Sequence, residues 1–264
     1  MPNYERITYK VENDIAHIHL NQPDILNAMS AEMGDELFDA LERGAKEARV
    51  VVLGSKGRGF CSGANLSASG TSVNLDDPRI DMGIRLENIF NPMLKMLRDY
   101  PVPFITSIRG PAVGFGCGLG LMGDIIVASK TAFFLQSFSK IGLTSDGGAA
   151  YLLSRAVGRI RAMEIMLLGE RYSAEEAYKH GLVTRLVEDD GLEEETQAIA
   201  SKLAAGPPIS LKFLRQSAWA ALDSNFSDQL DRERNLQRTA GRTHDFNEGV
   251  SAFREKRPPK FIGK

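Results

Sequence analysis

Apolar positions recur at strand length through the first half of the chain and at helical spacing through the second. ERITYKV and IAHIHLNQ flank a turn of ENDI type, which predicts a β-hairpin. ARVVVLGS and VPFITSIRG predict two further strands, with shorter ones over 125–129 (IIVAS) and 131–136 (TAFFLQ). A helix over 30–46 follows Ser30, a suitable N-cap with Glu32 and Asp35 in the first turn, and a second over 84–98 ends before Pro101 and Pro103. From Gly147 the pattern becomes helical: GGAAYLLSRAVG, RIRAMEIMLLG and SAEEAYKHG succeed one another, the last opened by a Ser173–Glu176 capping box. A short LVTRLVE strand precedes three more helical stretches, one beginning at Pro207–Pro208. The expectation is a layered α/β core over 1–200 and a helical region over 201–264.

Composition narrows the picture. With 264 residues, 43% hydrophobic, 25% charged and a net charge of −2, the chain reads as an ordinary globular protein, and its dispersed basic residues exclude a nucleic-acid partner. Two cysteines make no disulfide framework, the N-terminal stretch lacks the apolar core of a signal peptide, and the uncharged run 110–123 is too short and glycine-rich to span a bilayer. The expected location is cytoplasmic, with no membrane partner.

Several candidate chemistries fail on spacing. Neither GSKGRGFCSGANL nor GFGCGLG carries a phosphate-cradling signature in register. His17 and His19 share a strand face, but no further ligand lies at matching spacing, so no metal is expected. Cys61 has no histidine nearby in sequence and reads as a small buried residue. Two glycine loops remain, each following an apolar strand: GRGFCSGANL after VVVLG, and PAVGFGCGLG after PFITSIRG. Such a pair can aim two backbone N–H groups at one point as an oxyanion hole. Close helix packing is the alternative use of the glycines.

These loops, with IRGPAVGFGCGLGLMGDIIVAS, the IGLTSDGGAAYLLSRAVGRIRAMEIMLLGERYSAEEAYKHGLV stretch and the terminal GVSAFREKRPPKF, resemble the crotonase (enoyl-CoA hydratase/isomerase) superfamily over nearly the whole chain. The active-site pattern is nearest to its aspartate-using enoyl-CoA isomerases. The resemblance implies an α/β fold, a spiral of ββα repeats holding the CoA and acyl pocket, with a helical C-terminal region that covers the pocket and builds a homotrimer or a dimer of trimers. It implies an acyl-CoA thioester as substrate, in fatty-acid or aromatic catabolism, and no separate cofactor, coenzyme A entering with the substrate.

Residue by residue, the resemblance places the oxyanion-hole donors at the N–H of Ala64 and of Phe115, after Gly114. It places coenzyme A contacts at Arg58, Ser62, Asn65, Leu66, Phe253 and Lys256, with Lys56 a further candidate for the phosphates. The two glutamates used by hydratases fall on Gly118 and Phe138, so Gly118, Phe134 and Phe138 become expected walls of an acyl pocket, Gly118 opening space beside the thioester. One carboxylate survives, Asp146 in GLTSDGG, which reads either as the acid/base or as the N-cap of the following helix. One carboxylate suits double-bond isomerisation, which moves a proton and activates no water. An atypical hydratase drawing on Asp81 or Glu87 and a non-catalytic acyl-CoA-binding oligomer are the alternatives. Nucleophilic use of Asp146 lacks tryptophan and histidine partners, Trp219 lying in the tail.

Overall fold

Asn13 and Asp14 both adopt left-handed backbone (φ 51° and 61°), which makes the tight turn whose twist suits a two-residue hairpin. It joins β1 (Ile7–Glu12) to β2 (Ile15–Leu20) in antiparallel register, Ile7 opposite Leu20. The computed structural model describes residues 4–65, 77 and 79–264. After β2, α1 (Ala31–Glu47) crosses to β3 (Val50–Ser55), with Ser30 Oγ accepting the Met33 N–H as its cap. A π-helical turn, Leu86–Phe90, runs into α2 (Asn91–Arg98), which ends before Pro101 and leads to β4 (Phe104–Ile108).

From β4 the chain repeats a ββα step. β5 (Pro111–Val113) and α3 (Phe115–Leu121) follow β4; β7 (Phe133–Leu135) and α4 (Ala149–Ala156) follow β6 (Ile125–Ser129). α5 (Gly158–Leu168), β8 (Tyr172–Ser173), α6 (Ala174–Lys179), β9 (Arg185–Val187) and α7 (Leu192–Ala204) complete the core. The larger sheet has the order β1-β2-β3-β4-β6-β9, parallel from β2 onward; the smaller, β5-β7-β8, stands beside it. Each turn of the spiral thus places one strand in each sheet. The α/β spiral with a C-terminal helical region is the expected architecture. β5 and β8, three and two residues long, were not legible in the sequence.

Alternation along the strands separates two cores. Ala16, Ile18, Val51, Leu53 and Phe104 face the larger one, which α1, α2 and α3 close. Ile15, Val50, Val52, Ile105 and Val127 face α7 through Leu192 and Ala200. α7 therefore runs through the expected boundary at 200/201 as part of the core. The tail proper is α8 (Pro208–Ala221), α9 (Phe226–Ala240) and α10 (His244–Glu255). Buried Arg215 pins α8 to the core, its guanidinium donating to the Asp124 carboxylate (2.7 Å) and to the carbonyls of Leu97, Arg98 and Tyr100. Ile262 and Gly263 donate their N–H groups to the buried Asp245 carboxylate, both at 2.8 Å, which ties the C-terminus down.

Candidate active site

β3, β5 and β7 each run into a segment that lines one cavity of about 570 Å³. Ser62 to Asn65 come from the loop after β3, Val113 to Phe115 from the end of β5, and Ser137, Phe138 and Leu143 to Asp146 from the stretch after β7. Residues from Ile80 to Leu86, with Phe90, complete the lining; they are mostly apolar but include Asp81 and Arg85. Ala64, Phe115, Phe138 and Asp146, named from sequence alone, are thus brought together.

Local backbone explains how the two loops meet. Cys61 donates its N–H to the Pro111 carbonyl (3.0 Å) and accepts from Val113 N–H (2.9 Å), which zips the first loop onto β5. On its other side Gly63 O and Asn65 N bond Met29, at 2.8 and 2.9 Å. In that pairing the N–H of the intervening Ala64 points away from Met29. Gly63 (φ +98°) and Gly114 (φ +53°) hold backbone that other residues rarely adopt, one residue before each donor. Phe115 is the first residue of α3, where an N–H has no acceptor within the helix. No hydrogen bond between described residues uses the N–H of Ala64 or Phe115.

Asp146 does not cap α4. The first helical residue, Ala149, donates to the backbone carbonyl of Asp146 (3.1 Å), while Gly147 and Gly148, both left-handed, carry the chain round the corner. The side chain is thereby released into the cavity. Its Oδ1 is buried with no hydrogen-bond partner, and burial pushes the carboxyl from the ordinary 3.8 up to about 6. A buried carboxylate lacking a donor is costly to ionise and ready to take a proton. Asp81, the other carboxylate lining the cavity among the described residues, is exposed, and its Oδ1 accepts the Gly83 N–H at 2.7 Å.

Several expected residues stand elsewhere. Phe134 is buried in the core behind β7, because it points to the opposite face of that strand from Phe133 and Leu135. Gly118 opens no space: it packs against the Gly147 backbone, where an added β-carbon would lie 2.3 Å from the carbonyl oxygen. Phe138 does form a wall, its ring edge 3.3 Å from where a β-carbon on Gly114 would stand. Of the expected coenzyme A contacts, Ser62 and Asn65 line the cavity; exposed Arg58 does not, and Leu66 lies outside the described residues. Phe253, 85% exposed, and Lys256 belong to α10 and its C-cap, and Phe253 borders a separate cavity within the tail beside Phe261. Glu87 and Lys56 are exposed and outside the cavity; Trp219, in the tail, is partly buried against the core and also outside it. The Cys61 thiol is pushed up to about 12 by burial, which removes it as a nucleophile. His17 and His19 face a different cleft, beside Ser107, Arg109 and Glu193. Among the described residues no group of three or more His, Cys, Asp or Glu is placed to hold a metal ion.

One residue was missed. Gln136 is 1% exposed; its Nε2 donates to the Gly114 carbonyl (3.2 Å) and its Oε1 accepts from Ser145 Oγ (3.3 Å). The Gly114 carbonyl belongs to the same peptide unit as the Phe115 N–H, and Ser145 precedes Asp146. A single amide therefore braces both halves of the site. In the sequence it is an unremarked polar residue at the end of a short strand.

A fold of two sheets wound as ββα turns, with two glycine loops converging on one cavity, defines the class: the chain belongs to the enoyl-CoA hydratase/isomerase family, whose family model matches residues 10–264. It is 39% identical to the 1,2-epoxyphenylacetyl-CoA isomerase of Escherichia coli, over 98% of this chain and 99% of that one. It is 37% identical to a Rhodobacter capsulatus protein named "Probable enoyl-CoA hydratase", over 99% and 100% of the two chains. Among solved structures, an enoyl-CoA hydratase subunit I from Geobacillus kaustophilus matches with a TM-score of 0.90, 34% identity and 99% coverage of both chains.

Proposed function

We infer that the protein is an acyl-CoA isomerase in which Asp146 removes a proton beside the thioester and returns it further along the acyl chain. The N–H groups of Ala64 and Phe115 hold the thioester oxygen as it becomes an enolate; one such donor contributes about 3–4 kcal/mol to the transition state. Asp146 takes the C2 proton of a 3-enoyl-CoA, electrons delocalise through the double bond onto the oxygen, and the carboxylic acid delivers the same proton to C4. The buried, unpartnered Oδ1 of Asp146 carries this reading. Apolar side chains from Ile80 to Phe90 and from Phe138 to Leu143 line the cavity and would accommodate a bulky or cyclic acyl group. The isomerase relative from Escherichia coli supports it. Arg58, Ser62, Asn65, Leu66, Phe253 and Lys256 are retained as proposed coenzyme A contacts.

A hydratase reading rests on Asp81, which also lines the cavity and would serve as a second acid. Product analysis by chromatography and mass separates the two. Incubation with a 3-enoyl-CoA is expected to shift the double bond without gain of water, and Asp146→Asn to lower that rate at least about 1000-fold. Water added to a 2-enoyl-CoA at a comparable rate would replace the isomerase reading with the hydratase one.

Oligomerisation is proposed on the exposed apolar residues of α5 (Ile160 and Leu167) and of the tail (Leu214, Phe226 and Phe253). The assembly proposed is a homotrimer or a dimer of trimers.

A further inference from the structure

α3 is held on every side. All seven of its residues are buried; a β-carbon on Gly116 would lie 2.6 Å from both the Cβ and the carbonyl oxygen of Cys61, and one on Gly120 would lie 2.9 Å from Ile108 Cδ1. Gly118, between them, touches neither. The three atoms nearest its added β-carbon all belong to the backbone of Gly147: the carbonyl oxygen at 2.3 Å, the carbonyl carbon at 2.8 Å and Cα at 2.9 Å. β-Carbons essentially never approach within 3.0 Å, so any side chain at 118 must move backbone. α3 cannot yield without opening the core, whereas residues 141–144 and Gly148 are exposed, and a β-carbon on Gly142 or Gly148 would touch nothing. The displacement therefore falls on the segment that carries Asp146.

We propose that the Gly118–Gly147 backbone contact is the seat that sets how far Asp146 reaches into the cavity, so that Gly118 is a positioning residue acting through Asp146. This rests on the reading of Asp146 as the acid/base. Because α3 also carries Phe115, the contact fixes the distance between the base and one oxyanion donor. Relieving a 2.3 Å approach needs a retreat of about 1 Å, enough to cost roughly 100-fold in a proton transfer.

The test is steady-state kinetics with a 3-enoyl-CoA on Gly118→Ala, Asp146→Glu and the double variant. Gly118→Ala is expected to lower kcat about 100-fold, while KM and the affinity for a saturated acyl-CoA stay within about twofold because Ala64 and Phe115 do not move. The acid limb of its pH profile should move down as Asp146 gains water. Asp146→Glu alone should lower kcat, but in the Gly118→Ala background its extra methylene should recover kcat about tenfold. Wild-type kcat in Gly118→Ala, or losses that simply multiply in the double variant, would overturn the proposal. Should Gly118→Ala not fold, Gly147→Ala strains the same seat from its other partner, since alanine resists φ +61° there and its β-carbon would stand 3.4 Å from Gly118 Cα. The same kcat-selective loss is expected of it, and wild-type kcat would overturn the proposal equally. Asp146→Asn, assayed alongside, keeps the two claims apart. Activity in Asp146→Asn removes the acid/base reading, whereas its inactivity together with an unaffected Gly118→Ala removes only the seat.

Discussion

Asp146 carries in its environment a cost that its proposed acid/base role would explain. Its carboxyl holds a proton up to about pH 6, whereas an unfolded aspartate releases it near 3.8. Between those values the native chain binds more protons than the unfolded one, so stability falls as pH rises through the window and the loss is complete above about 6. Asp146→Asn removes the ionised form and should stabilise the protein at pH 7.5 by about 1–2 kcal/mol, a value reduced from the full shift because the group is partly exposed. Calorimetry should show a Tm higher by a few degrees at pH 7.5 and nearly equal to wild type below pH 4; a lower Tm at pH 7.5 would contradict this. The sequence left Asp146 as either base or helix cap because an aspartate before a helix serves both roles. Only the left-handed pair Gly147–Gly148 decides, by turning the chain through its backbone and leaving the side chain uncommitted.

At the scale of the element, α3 shows what its glycines are for. Oxyanion geometry and close packing stood as alternatives in the sequence; the packing is seen in the helix, and it is compatible with the proposed oxyanion role. Gly114 shapes the approach to the Phe115 N–H, while Gly116, Gly118 and Gly120 dock on Cys61, on Gly147 and on Ile108 and Phe60 respectively. The kind of atom each one meets predicts a graded response. Gly120→Ala meets the tip of a flexible isoleucine, and the helix-propensity gain of about 1 kcal/mol offsets part of its overpacking. Gly116→Ala meets backbone and cannot relax in that way, so it should destabilise more, by about 2–3 kcal/mol. Urea midpoints of the two variants check this, and an equal or reversed order would contradict it. The hairpin, α1, β4 and β6 were legible because each is long enough for its periodicity and its turn or cap residues to agree. β5 and β8 were not: β5 lies inside the glycine-rich PAVGFGCGLG stretch, read as a loop, and β8 is only two residues long. Phe134 and Gly118 were misplaced for a related reason: which side of a short element meets the cavity depends on tertiary contacts rather than on local pattern.

Across the whole molecule, strands of both sheets place the segments that line the cavity. β3 lies in the larger sheet, β5 and β7 in the smaller, and their following segments converge on one cavity. The overall class was legible because motifs spread along the chain carried it. The Gln136 brace was not, because it arises where distant segments meet. No helix among the described residues is long and apolar enough to cross a membrane. In the proposed mechanism this architecture presents one working carboxylate to the substrate. The measurement that tests it most directly is the pH dependence of kcat/KM for isomerisation of a 3-enoyl-CoA. A single ionisation is expected, activity rising tenfold per pH unit below about 6 and flat above, because the base must be unprotonated in the free enzyme. A bell-shaped profile, or an unchanged profile in Asp146→Asn, would show a second group at work and contradict the account.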